Sequence, residues 1–295
     1  ENRTLAELSK TLATINIHAE FPYDFENARV GEFFNEKSYS YFQRLGFKQY
    51  LSRFSDVPAG TGQKEPTAVC ELKELASLTE LDKVLDEAKA REAAAIACAG
   101  FRAENAGVKS GSDGQMQLDL TPHEEQLIIV LATDEQHAWL MRTPTFEAEI
   151  LRKRFGALAC EEGNVRLIAF DCKALYSQLA IENMRTSTEV SRHFFDSKLA
   201  AYLLNPLKSD YEPQDVASEY ASVTMAGYAE RFGKLCTRDA YEQKPEELVN
   251  YLYNVARTGM LAYPKLKKGL ADTQMAALFR DVEMPLSYVL CDMEE

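Results

Sequence analysis

The side chains able to carry chemistry in this chain are scattered rather than clustered. Six cysteines, Cys70, Cys98, Cys160, Cys172, Cys236 and Cys291, are separated by 12 to 64 residues with no C-x-x-C pair. That spacing suits free, buried thiols in a reducing compartment, not a zinc site or a disulfide framework. The four histidines, His18, His123, His137 and His193, are spread as widely, and neither a glycine-rich phosphate loop nor a G-x-S-x-G elbow occurs. Glu124-Glu125 reads as a solvated turn in preference to an acid/base pair. Asp171 follows an apolar run and opens a helical pattern, the position of a helix cap worth about 1 kcal/mol. Two short basic clusters remain, Arg152-Lys153-Arg154 and Lys265-Leu266-Lys267-Lys268. A solvated helix face is the default for each, and contact with a phosphate backbone the alternative.

The elements that must position these groups change in character along the chain. Residues 1 to about 54 read as short helices: Leu5, Leu8 and Leu12 recur at helical spacing, and Phe33, Phe34, Tyr41, Phe42, Leu45 and Phe47 give an aromatic face. Ser55 to Pro66 is rich in breakers and predicts an interdomain linker. Beyond it, short strands at Thr67 to Leu72, Gln115 to Leu120, Gln126 to Ala132, His137 to Met141 and Val165 to Phe170 alternate with helical patterns. These helical patterns cover Leu78 to Leu85, Phe146 to Leu158 and Lys173 to Ile181. Lys109 to Gly114 supplies a hairpin turn, and the apolar run Ala94 to Phe101 has strand length although its alanines also suit a helix. Such alternation implies an α/β layer with a largely covered sheet. From Phe194 onward the pattern is helical: Phe195, Leu199, Tyr202 and Leu203 share a face that stops at Asn205-Pro206. Pro245 to Glu295 is helical with expected interruptions at Tyr263-Pro264 and Gly269.

Composition bounds the rest. At 295 residues, 46% hydrophobic and 27% charged, the chain is an ordinary globular one long enough for about two domains. Its 33 basic against 46 acidic residues leave a net charge of −13, which argues against a dedicated phosphate-tracking surface, although a local basic groove is compatible with it. No apolar run reaches membrane-spanning length and no signal pattern opens the chain, so a cytoplasmic location without a membrane is expected. A start at Glu1 without methionine and an end inside a helical pattern lead us to expect a piece of a longer polypeptide.

Three stretches, in order, are similar to the bacterial family A DNA polymerases. Leu5 to Ile15 (LAELSKTLATI) resembles the end of that family's 5′ nuclease domain, and Phe47 to Phe54 (FKQYLSRF) its last helix. Phe195 to Pro206 (FDSKLAAYLLNP) is similar to a phrase of the 3′→5′ exonuclease-type domain. Asp281 to Leu286 (DVEMPL) with Val289 to Glu294 (VLCDME) resembles the opening of the polymerase domain. The resemblance implies that residues 1–62 are the tail of a 5′ nuclease domain plus linker. It implies that 63–270 form an exonuclease-type domain of ribonuclease-H-like α/β fold, a mixed sheet flanked by helices, and that 271–295 start a polymerase domain. Palm and fingers lie outside this span, so the segment is not expected to polymerise DNA.

Exonucleases of this family use two metal ions held by clustered carboxylates, because hard cations need oxygen ligands. The ligands are a D-x-E on the first long strand, an Asp in the strand-to-helix region ahead of the FDSKLAAYLLNP-like phrase, and the Asp of a Y-x-x-x-D. Matched position by position, the resemblance places Cys98 and Gly100 at the first site, Asp171 and Leu175 at the second, and Tyr251 followed by Val255 at the third. Asp196 belongs to the matched phrase, where the family uses it for structure. One remaining carboxylate cannot hold two Mg²⁺ ions. The expectation is an inactive exonuclease fold with no cofactor of its own, acting as a scaffold, with Mg²⁺ serving the parent polymerase. Its expected partners are DNA, reached through the parent, and the remaining nuclease and polymerase domains. Two alternatives are an active proofreading exonuclease with other ligands, and an accessory DNA-binding module using Arg152, Lys153, Arg154, Lys265, Lys267 and Lys268.

Overall fold

Two apolar runs, Ala93–Phe101 (β2) and Gln126–Ala132 (β5), pair antiparallel at the centre of a six-stranded sheet. They are apolar nearly throughout because the sheet is covered on both faces, and Leu127 to Ala132 are fully buried. Outward from β5 lie His137–Arg142 (β6), antiparallel to it, and Glu71–Glu74 (β1), parallel to β6. On the other side of β2, Arg166–Ala169 (β7) and Phe194–Asp196 (β8) continue in parallel. The order is therefore β1-β6-β5-β2-β7-β8. A separate antiparallel ribbon pairs Val108–Ser110 (β3) with Met116–Leu118 (β4).

This computed structural model describes residues 2–15, 35, 38, 41–42, 47, 71–101, 108–110, 116–118, 125–160, 165–180, 192–208 and 210–294. Two compact units emerge, Glu1–Lys64 and Glu65–Glu295. In the first, Asn2–Ala13 (α1) is a helix that leaves Leu5, Leu8 and Leu12 exposed, and the rings of Phe42 and Phe47 lie 5.7 Å apart. Phe33, Phe34, the linker Ser55 to Pro66, the rest of FKQYLSRF, Cys70, His18, His123 and Glu124 lie outside the described residues.

In the second unit, helices flank the sheet. Leu78–Lys89 (α2) starts on Ser77, whose side chain accepts from the Glu80 amide, and buries Leu81, Val84 and Leu85. Ala148–Cys160 (α3), Cys172–Leu179 (α4) and Ser197–Leu204 (α5) follow, then Pro213–Val216 (α6) running into a π-helical turn at Ala217–Ala221. Two short helices, Tyr228–Phe232 (α7) and Thr237–Gln243 (α8), lead to the long Pro245–Asp272 (α9). A helical turn at Ala276–Leu278, a π-helical turn at Phe279–Glu283 and the helix Met284–Glu294 (α10) end the described chain. Among the described residues no helix is long and apolar enough to cross a membrane.

α9 lies directly on β2 and β7, and Gly259 sets how closely. A Cβ at Gly259 would stand 3.2 Å from Cβ of Ala95 and 3.3 Å from Cγ2 of Ile168, so a hydrogen there lets the helix backbone rest on the sheet. Ala95, one of the alanines that left β2 ambiguous in sequence, is thus explained as the small side chain of a strand under a close helix. Gly259→Val is expected to lower folding stability by about 1–3 kcal/mol through overpacking. The thermal midpoint checks it, and an unchanged midpoint would mean that this seam is loose. At the sheet edge Arg142 forks onto Glu74 (Nε–Oε1 2.9 Å, Nη2–Oε2 3.1 Å) and reaches Glu246 at 3.3 Å, joining β6, β1 and the first turn of α9.

Several local expectations differ from the structure. α9 runs through Pro264 and Gly269 without a break. Pro264 removes one internal hydrogen bond without ending a 28-residue helix anchored on the sheet, and Gly269 is a close approach, where a Cβ would meet Leu204 Cδ1 at 2.8 Å. The helix ends instead at Thr273, followed by Gln274 with φ +61°. Phe195 belongs to β8 rather than to a helix, because its backbone pairs with Ile168 and α5 begins only after Asp196. Lys109 and Ser110 are strand residues of β3 rather than turn.

Candidate functional site

β2, the end of β7, α4 and α9 meet around a cavity of about 160 Å³. Its lining includes Cys98 from β2, Phe170 and Asp171 after β7, Leu175 and Gln178 from α4, and Tyr251 and Val255 from α9. Five of the six positions singled out by resemblance therefore converge, although more than 150 residues separate Cys98 from Val255. Gly100 is the exception and is absent from the lining. Two residues along the same face of β2, it sits where a Cβ would approach Leu127 Cδ1 to 3.2 Å and Gln178 Cβ to 3.8 Å.

Asp171 is the one carboxylate in this lining. It is the N-cap of α4: its Oδ1 accepts the Ala174 amide at 3.1 Å, as its place before a helical pattern predicted. Its Oδ2 accepts from Lys198 Nζ at 3.3 Å. Cys98 is part-exposed as a residue, yet protein crowds its thiol closely. Desolvation pushes it up to about 12 against the opposing pull of the Arg152 charge, so it is a thiol, not a nucleophilic thiolate, near neutral pH. Leu175 is buried. Burial, followed by the charge of Glu212, raises the Tyr251 hydroxyl above the usual tyrosine range. Its ring packs edge-on against Tyr228 and Phe232 at 5.5 and 6.1 Å. The walls are therefore mostly apolar, with one carboxylate, one thiol, one phenol and the carboxamide of Gln178.

That donor set does not suit a pair of magnesium ions, which need several carboxylate oxygens and near-octahedral geometry. Among the described residues no group of three or more His, Cys, Asp or Glu side chains could hold a metal ion.

Asp196 has the structural role assigned to it. It is buried; Oδ1 accepts the Leu199 amide at 2.9 Å, capping α5, and Oδ2 accepts the Cys172 amide at 2.7 Å, in the first turn of α4. Ser197 Oγ adds a bond to the Ala169 carbonyl at 3.0 Å.

The basic clusters are largely engaged within the chain. Arg152 pairs with Glu125 at 2.6 Å and donates to the Gln178 carbonyl at 3.2 Å, while Arg154 pairs with Asp82 at 3.2 Å and Lys153 is exposed. Lys265 donates to the Glu219 carbonyl at 2.5 Å, Lys267 pairs with Glu92 at 2.5 Å, and Lys268 pairs with Asp272. The lysine ion pair of Asp171 and the second helix held by Asp196 were not read from the sequence. No periodicity links residues 27 or 24 positions apart, and only the phrase shared by Asp196 and Lys198 pointed to that region.

No protein-family model matches the chain. Among curated proteins, DNA polymerase I of Bacillus subtilis (strain 168) is similar at 23% identity over all 295 residues, and the match covers 30% of that protein. Among solved structures, the catalytic core of RRP6 from Trypanosoma brucei matches 75% of this chain and 53% of its own, at 12% identity with a TM-score of 0.50. RNase D of the same organism matches 66% of this chain and 64% of its own, at 16% identity with a TM-score of 0.44. The chain thus spans about a third of the polymerase it matches and about half of the RRP6 core. From end to end it is similar to one stretch of a DNA polymerase I, and its larger unit has the ribonuclease-H-like α/β fold, a mixed sheet flanked by helices.

Proposed function

We propose that this chain is the exonuclease-type portion of a DNA polymerase I and that it is catalytically silent, a scaffold between 5′ nuclease and polymerase parts. The observation that carries the reading is the cavity itself: where the family's carboxylates would converge, Cys98, Leu175 and Val255 stand, and the remaining Asp171 is committed to a helix cap and to Lys198. On this reading residues 1–62 and 271–295 belong to the flanking nuclease and polymerase parts. The segment then holds no cofactor, Mg²⁺ serves the polymerase site of the parent, and DNA is handled by that parent. The internal pairing of Arg152, Arg154, Lys265, Lys267 and Lys268 favours the scaffold over an accessory DNA-binding module.

The test is direct. Incubated with 3′-labelled single-stranded DNA and either Mg²⁺ or Mn²⁺, the purified chain is expected to release no nucleotide above a metal-free control. Metal-dependent release would replace the scaffold with an active exonuclease using ligands elsewhere. Salt-sensitive binding of the same DNA at low ionic strength would favour the DNA-binding module.

A further inference from the structure

We propose that Lys198, which stands outside the cavity lining, is a resident cation on the cavity's carboxylate Asp171, taking the place of a divalent ion and opposing the binding of one. The proposal rests on the catalytically silent reading and goes beyond it: missing carboxylates only weaken metal binding, whereas a fixed ammonium acts against it.

The ammonium is held in place by both ends of its residue. The Lys198 amide donates to the Phe170 carbonyl at 3.1 Å, and its Nζ reaches Asp171 Oδ2 at 3.3 Å while lying 5.8 Å from the centre of the Phe170 ring. Main chain and side chain are therefore tied to the same two cavity residues. The start of α5 that carries Lys198 is itself pinned, by the Asp196 cap on Leu199 and by the bond from Ser197 to Ala169. With Oδ1 of Asp171 accepting from Ala174, each oxygen of the carboxylate already has a donor.

A dication bound to Asp171 Oδ2 at about 2.1 Å would stand within about 5.4 Å of Nζ, a distance at which its repulsion from the ammonium is twice that between two single charges. Lys198 is part-exposed, so salt screens this repulsion and low ionic strength reveals it. At the Gln178 side of the cavity, the guanidinium of Arg152 is paired with Glu125, and Lys173, whose charge also feels Asp171, is paired with Glu294 at 2.6 Å, so Lys198 is the cation in direct contact with the cavity carboxylate.

Manganese ion alone is a sufficient probe, because its paramagnetism broadens nearby amide resonances even when binding is weak. The isotope-labelled 295-residue chain, Lys198→Met and the remote control Lys153→Met are titrated at low ionic strength, following the amides of Ala174 and Leu175. Lys198→Met is expected to lose these signals at Mn²⁺ concentrations about tenfold lower than the parent and Lys153→Met. Lys198→Gln, which keeps a polar side chain, is expected to follow Lys198→Met. Adding Asp171→Asn to Lys198→Met is expected to return the titration to the parent range. Coincident titrations of Lys198→Met and parent would overturn the proposal, as would broadening that persists after Asp171→Asn. Failure of the silent reading has a separate signature, nucleotide release by the unmodified chain.

Discussion

Asp196→Ala is expected to remove about 3–4 kcal/mol of folding stability, a large part of the 5–15 kcal/mol that a domain of this kind has. The estimate comes from its two bonds. Without the carboxylate, the Leu199 and Cys172 amides are left without their partners next to a buried side chain, at about 1–3 kcal/mol each, and α5 loses its cap. This one side chain ties the first turn of α4, which lines the cavity, to the start of α5, which carries Lys198, so local loosening would spread to Leu175 and Lys198. Urea denaturation followed by circular dichroism measures the loss, and a change below about 1 kcal/mol would mean that the two helices start independently.

Asp196 also sets a pH dependence. Its burial outweighs the pull of the Cys172 and Leu199 amides and pushes the carboxyl up to about 7 from an ordinary value of 3.8. Between those values the folded chain holds a proton that the unfolded chain has lost. Its stabilising contribution is therefore complete below about 4 and disappears as pH rises through about 7. Asp196→Asn, which cannot titrate, is expected to flatten this part of the stability profile. Parallel pH profiles for parent and Asp196→Asn would show that the amides, not burial, dominate.

How much of this was legible beforehand depended on how local the cause was. The cap at Asp171 was visible, since an apolar run, an aspartate and a helical pattern are contiguous. The six site positions were nameable only through the family resemblance, and no pattern could say that β2 and α9 bring Cys98 and Val255 to one cavity. That requires the sheet and the seam at Gly259. The same long-range packing overruled local propensity twice. Pro264 and Gly269 signalled breaks, yet α9 is continuous because it is laid along a covered sheet, and Phe195 fitted a helical face but is claimed by pairing with Ile168. Side chains joining distant elements, Arg142 to Glu74 and Glu246 or Lys198 to Asp171, follow from tertiary placement, and no sequence period announces them.

The second large effect concerns what fills the place of a metal ligand. Leu175→Asp is expected to destabilise the fold by about 3–5 kcal/mol at pH 8, combining the loss of a buried leucine with the desolvation of a carboxylate. Because burial raises a carboxyl pKa, the introduced group takes up a proton more readily in the folded state, and the loss is expected to shrink at pH 5. Millimolar Mg²⁺ or Mn²⁺ is not expected to rescue this variant, since Asp171 remains held by Lys198 and two carboxylates make a poor site. Combining Leu175→Asp with Cys98→Asp and Val255→Asp changes that balance. Four carboxylates on one cavity repel one another until a cation binds, so Mn²⁺ should raise the melting temperature of the triple variant. A ligand at 100 times its Kd contributes about 2.7 kcal/mol. The rescue should grow when Lys198→Met is added. Equal stabilisation of parent, single and triple variants by Mn²⁺ would place the ion elsewhere. Rescue confined to the triple variant would mean that the scaffold keeps the geometry of a metal site while Leu175 and Val255 fill it from within and Lys198 occupies its remaining carboxylate.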